Sequence, residues 1–185
     1  MISFTVDTSS SRNMILTMKS LASLPSKLQG KIIKRVMKRA AQSMSKVAVS
    51  ATTEQYYVKS GAVRKAITAS SSGTESRLII KGTRIGGEKF KYTPGRAGKK
   101  HSPLKIAVKK GNALTAVPGA FIAKKFGVMF QRHNNSRKLI DRLVRISVPQ
   151  MIGHNEQTIT LMQEAAERTF NERMKHEITY ALMGR

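Results

Sequence analysis

The chain has 185 residues, with 34 Lys and Arg against 10 Asp and Glu for a net charge of +24, and it contains no cysteine. That length suits one domain with its own apolar core and is too short for two large ones, while the missing cysteine removes disulfide frameworks, thiolate nucleophiles and cysteine zinc sites. Hydrophobic residues at 40% argue against a wholly disordered basic tail. No apolar run approaches the roughly 20 residues of a bilayer span, and MISFTVDTSSS lacks the basic-then-apolar pattern of a leader, so a soluble, unprocessed chain assembled in a reducing cytosol is expected.

Ile2 to Val6 alternates apolar and polar residues, as a short strand does. From about residue 26 to about residue 54, Leu28, Ile32, Val36, Ala40, Val47 and Ala51 recur at three- and four-residue steps. Lys27, Lys31, Lys34, Arg35, Lys38 and Lys46 fall on the other side. This spacing predicts one long amphipathic helix. Its basic face is open to two accounts, a solvated helix surface or a rail aimed at an anionic partner.

GAVRKAI predicts a short helical turn, and ITASSS and SRLIIKGTRI predict two strands joined by Gly73 to Glu75, the second broken at Gly86 and Gly87. Residues 86–103, rich in Gly, Pro, Lys and Arg, have no periodicity and are expected to form a basic mobile loop within a single domain spanning 1–185. Leu104, Ile106 and Val108 alternate as a half-buried strand would. Ala120 to Ala123 and Val128 to Arg132 predict a hairpin joined by KKFG. There Phe121, Val128 and Phe130 are expected to supply core contacts while Lys124, Lys125 and Arg132 stay wet, since a base-stacking surface would spread its aromatics along a groove.

LIDRLVRISVP is another strand-like run, ending at Pro149. Asn155 suits an N-cap, with Glu156 in the first turn of a last helix. In that helix Met162, Ala166, Phe170, Met174, Ile178 and Leu182 repeat every four residues, a stripe that drifts around a 3.6-residue helix. Two outcomes are open: one broad intramolecular face, or a face whose margin, Phe170, Met174, Ile178 and Leu182, meets another subunit. The expected architecture is α+β, with a long N-terminal helix, an antiparallel sheet of about four to five strands, and a C-terminal helix packed on one face of it.

Signals for chemistry are weak. The four histidines form no HExxH or H-x3-H pair, so no metal site is expected. GRAGKK, Gly95 to Lys100, has the wrong glycine spacing for a phosphate loop and lacks the Ser or Thr after its lysine. Outside the last helix the acids are Asp7, Glu54, Glu75, Glu88 and Asp141, none paired in sequence as a hydrolase would need. No catalytic residue, cofactor or small-molecule substrate is expected; a nuclease would have to depend on Asp141 or Glu88.

Charge is the informative signal, and it is uneven. Residues 154–185 carry four cationic and five acidic side chains, so the first 153 hold a net +25. Such a surface attracts nucleic acid or an acidic protein face. The residues expected to make that contact are Lys31, Lys34 and Lys38 on the first helix, and Arg84, Lys99, Lys100, Lys109 and Lys110 along the sheet and loop.

VPGAFIAKKFGVMFQRH, then KLIDRLVRISVPQMIGHNE and RTFNERMKHEITYAL, together resemble the minor tail protein Z, or tail completion, family of tailed bacteriophages over about residues 117–183. The resemblance implies a virion protein assembled in the host cytoplasm that completes the head-proximal end of the tail and helps join tail to head. It implies partners among tail terminator, tail tube or neck proteins, and a homo-oligomeric ring, expected to be six-fold, around or beside genomic DNA. It implies no catalytic residues and no membrane. A free-standing basic nucleic-acid-binding module is the alternative that composition alone supports.

Overall fold

The structure, a computed structural model, describes residues 2–5, 19, 21–72, 75–93, 103–123, 125–132 and 140–183. In chain order the elements are β1 (Ile2–Thr5), α1 (Ser26–Gln55), α2 (Ser60–Ala66), β2 (Ile67–Ser72), β3 (Glu75–Ile80), β4 (Arg84–Gly86), a 3-10 turn (Gly87–Lys89), β5 (Lys91–Thr93), β6 (Lys105–Ala107), β7 (Thr115–Ala116), β8 (Ala120–Ala123), β9 (Val128–Arg132), β10 (Ile140–Arg142), β11 (Val144–Ser147), α3 (Val148–Gly153) and α4 (Glu156–Leu182). The class is α+β, with the long N-terminal and C-terminal helices the sequence predicts.

Both long helices bury rows that repeat every four residues. In α1 the row is Ile32, Val36, Ala40, Met44 and Ala48; in α4 it is Met162, Ala166, Phe170, Met174 and Ile178. Rows of this step form ridges that interdigitate between helices, and the α1–α4 seam is the most extensive packing between the described elements. The helices run antiparallel, because contacts pair Gln55 with Asn155, Ser43 with Ala165 and Arg35 with Glu177. Asn155 caps α4 as expected, its Oδ1 accepting the Thr158 N–H at 3.2 Å.

This seam corrects one expectation. The C-terminal helix packs along α1 and not on a sheet face; the sheet β1-β3-β2 also packs on α1, through β2 and β3. There Leu78 and Ile80 of β3 face inward by strand alternation and are wholly buried. All strand pairs are antiparallel, but the described residues form four small sheets, β1-β3-β2, β11-β4, β5-β6-β7 and β10-β9-β8, where one sheet of four or five strands was expected. Most of these strands are only two to five residues long, so ladders end before a wider sheet can accumulate. One continuous apolar cluster nevertheless links the helices to the small sheets through Phe90, Leu104, Ile106, Val117, Met129 and Leu143.

Two further expectations change. Of the loop expected at 86–103, residues 87–93 fold into the 3-10 turn and β5, with Phe90 buried; residues 94–102 lie outside the described set. Gly87 is buried where the turn docks, and a Cβ there would lie 2.9 Å from the Met129 sulfur and 3.2 Å from Ile106 Cδ1, so a larger residue would require Met129 to shift. LIDRLVRISVP is not one strand: Leu143 is buried and its N–H donates to the Met129 carbonyl at 2.9 Å, splitting the run into β10 and β11 in different sheets. Pro149 then lies in the first turn of α3, where a missing N–H costs nothing.

The β8–β9 hairpin has the predicted bounds, with Phe121 opposite Phe130 and Ile122 opposite Met129. Its phase is the reverse of the expected one. Met129 is wholly buried and Ala120 and Ile122 pack on the core, whereas Phe121, Val128 and Phe130 lie on the other side. Gly119 leads into this hairpin at φ +69°, and a Cβ there would lie 2.6 Å from the Arg132 carbonyl oxygen. Gly119→Ala is therefore expected to destabilise the fold by about 1–3 kcal/mol, read as a lower urea midpoint at unchanged slope. An unchanged midpoint would contradict this account of the hairpin's entry.

Candidate polyanion interface

Because the apolar row of α1 takes up one side of the helix, its basic residues are forced to the opposite side. Lys27, Lys31, Lys34, Arg35, Lys38, Arg39 and Lys46 are all exposed, and the helix carries no acidic residue before Glu54. Lys27 and Lys46 stand roughly 28 Å apart along the axis at 1.5 Å per residue. Among the described residues the only ion pair on this face joins Arg35 to Glu177 at 3.3 Å, with the Arg35 side chain 65% exposed; such an exposed pair contributes little to stability.

Where α4 crosses below that face, Arg35, Lys38, Arg39 and Gln42 of α1 and Arg173 and Glu177 of α4 line a cleft of about 430 Å³. Four cations surround a single carboxylate there, so the cleft retains positive potential after the internal pair is counted. Arg39 Nη1 donates to Gln42 Oε1 at 3.4 Å, which holds the guanidinium along the helix.

A second basic group forms at the C-terminal end of α1. The Lys110 N–H donates to the Gln55 carbonyl at 2.7 Å and the Tyr57 N–H to the Val108 carbonyl at 2.9 Å. These bonds bring Lys91 Nζ to 5.2 Å and Lys110 Nζ to 6.0 Å from the Tyr57 ring centroid, within cation–π reach. Lys109, bridged by its backbone to Tyr56, is exposed beside them. Cations at this helix end are also favoured by the helix dipole.

Of the residues the sequence singled out, Lys31, Lys34 and Lys38 share the exposed α1 face, and Lys109 and Lys110 share the Tyr57 group. Arg84 is exposed on β4 in a different hollow, lined by Ser147, Pro149, Gln150 and His154. Lys99 and Lys100 lie outside the described residues. Sequence reasoning missed Arg39, Lys91 and Arg173 as contributors. Arg39 was legible from its four-residue spacing to Arg35, but Lys91 and Arg173 reach their groups only through strand pairing and helix packing.

Of the four residues expected at a subunit margin, three lie inside the fold of one chain. Phe170, Met174 and Ile178 are buried in the α1–α4 seam of a single chain, so none is available to a neighbour. Leu182 is exposed, as are Leu161, Tyr180 and Met183.

Arg142 Nη2 donates to Glu88 Oε1 at 2.9 Å, and the Glu88 side chain is only 9% exposed. Burial pushes this carboxyl up, but hydrogen bonds from its own and the Met129 backbone, together with the Arg142 guanidinium, outweigh that and hold it below the usual carboxylate range. A carboxyl with a depressed folded-state value stabilises above its unfolded pKa, about 4.3, and that contribution disappears as pH falls through the lower folded value. Glu88→Gln is accordingly expected to remove part of the acid-side loss of stability, seen as a smaller drop in urea midpoint between pH 7 and pH 3. An identical drop in both proteins would contradict the assignment.

Among the described residues no group of three or more His, Cys, Asp or Glu side chains is placed to hold a metal ion, and no helix is long and apolar enough to cross a membrane. Comparison of the chain with protein-family models, curated proteins and solved structures finds no match.

Proposed function

We propose that this chain is a structural assembly protein whose α1 face lies against the phosphate backbone of DNA, in the role that resemblance to tail completion proteins implies: closing the head-proximal end of a bacteriophage tail where tail joins head. The observation that carries the polyanion half is the row of seven exposed cations on α1, six of them with no acidic partner among the described residues. Such a surface repels itself until counterions or a polyanion neutralise it, and displacing those counterions favours nucleic acid. The virion half rests on the resemblance of residues 117–183.

In a ring of copies, six in expectation, beside tail terminator, tail tube or neck proteins, α1 of each copy would face the channel. With Phe170, Met174 and Ile178 used internally, self-contact falls to Tyr180, Leu182 and Met183 at the end of α4 and to Leu28, all exposed. The antiparallel seam brings these two helix ends together. No cofactor, catalytic residue or small-molecule substrate enters this reading.

Cryo-electron microscopy of purified tails tests it: density for the chain at the head-proximal end, with α1 toward DNA, is the expected result. Absence from the particle, combined with DNA binding that weakens as salt rises, would identify a free-standing nucleic-acid-binding module instead.

A further inference from the structure

The reversed phase of the β8–β9 hairpin leaves an apolar surface that the core does not use. On the outer side of β10-β9-β8, register aligns Phe121 with Phe130, Ala123 with Val128, and Ile140 with Arg132. Phe121, Ala123, Val128 and Phe130 are half-buried, Ile140 is 38% exposed, and Phe126 at the hairpin tip is 68% exposed. None of these packs on the core cluster, to which Ala120, Ile122 and Met129 of the same strands belong or adhere.

Among the described residues, the uncompensated charges on this side and at the adjoining hairpin tip are of one sign. Arg132 sits with its guanidinium carbon 4.9 Å from the Phe121 centroid, and Lys125 Nζ lies 5.7 Å from that of Phe126. Arg142, opposite Phe130, is compensated by a carboxylate, Glu88. The acid of β10, Asp141, pairs with Gln131 in register and so belongs to the other face. We infer that this sheet face is a docking site for an amphipathic helix of a partner protein, apolar along one stripe and acidic along its margins.

Three observations select that occupant. A second copy carries the same +24, so apposing two such faces sets Arg132 and Lys125 against their equals. A single nucleic-acid strand needs free ring faces, but Phe121 and Phe130 stack on each other at 6.0 Å and 27° and Arg132 covers Phe121, while Ala123, Val128 and Ile140 have no ring to offer. Three strands about 4.8 Å apart make a platform roughly 10 Å wide, which matches the width of one helix. The site uses residues that the α1 face does not, so its failure would leave the DNA reading standing.

The test uses the full chain and a synthetic 18-residue helical peptide with Leu at i, i+3, i+4 and i+7 steps and Glu on both sides of that stripe. Backbone amide shifts on titration are expected to cluster at Phe121, Val128, Phe130 and Ile140. Phe130→Ser should weaken peptide binding about tenfold or more. Arg132→Glu, which leaves the apolar patch in place, should weaken the Glu-flanked peptide and strengthen a Lys-flanked one. Lys31→Glu combined with Lys34→Glu and Lys38→Glu should leave the shift pattern unchanged. The inference is overturned if a scrambled peptide of the same composition binds equally, if the peptide does not bind, or if its shifts map to α1. It is overturned equally if a thymidine 20-mer, or protein concentration alone, produces the sheet-face shifts.

Discussion

Reversing three charges at once, Lys31→Glu with Lys34→Glu and Lys38→Glu, is expected to lower affinity for duplex DNA by roughly two to three orders of magnitude at low salt. It should also make the fall of log K with log salt shallower by about 3. Each of these lysines is exposed on one side of α1 and none is ion-paired among the described residues, so each is free to displace a counterion from phosphate. Stability should stay within about 0.5 kcal/mol, because no packing is lost. The measurement is filter retention or fluorescence anisotropy between low and moderate salt. An unchanged salt slope would show that DNA does not lie along this face; loss of particle assembly with that slope unchanged would point to an acidic protein as the neighbour of α1.

The second large effect lies in the seam beneath. Phe170→Ala should destabilise the single chain by about 3–5 kcal/mol, a large share of the 5–15 kcal/mol typical of a domain. Its ring is almost wholly buried between α4 and α1, where the apolar rows of both helices meet. The loss should be the same at every protein concentration, because the partner surface belongs to the same chain. If Phe170 lay between copies, the variant would unfold at the wild-type midpoint when dilute and differ only in oligomeric state. Leu182→Ser is the companion measurement, since Leu182 is 61% exposed: little change in stability is expected, and any effect should fall on self-association.

Much of the candidate interface was legible before folding was considered. The basic face of α1 follows from spacing within one helix, so Lys31, Lys34 and Lys38 could be placed together from sequence, and Arg39 by the same rule. Lys109 and Lys110 were named without the feature that organises them. Tyr57 and Lys91 join them only when backbone bonds tie Gln55 and Tyr57 to the segment around Val108, a contact across more than fifty residues that no local pattern encodes. Arg173 likewise reaches Arg35 and Lys38 only because α4 runs antiparallel to α1.

What the amino-acid order determined by itself was whatever depends on near neighbours: the charge and its concentration before residue 154, two long helices with nearly correct ends, the Asn155 cap, and the bounds of the β8–β9 hairpin. Tertiary structure alone decided what covers each face. Both sides of the hairpin are apolar, Ala120, Ile122 and Met129 on one and Phe121, Val128 and Phe130 on the other, so alternation defines two faces without choosing the inner one. The choice fell to the space left beside Gly87, Ile106 and Leu143, which accepts Met129. The four-step stripe of α4 presents the same ambiguity: periodicity reports which side chains share a side, but the free energy that orients that side comes from burial against residues distant in sequence.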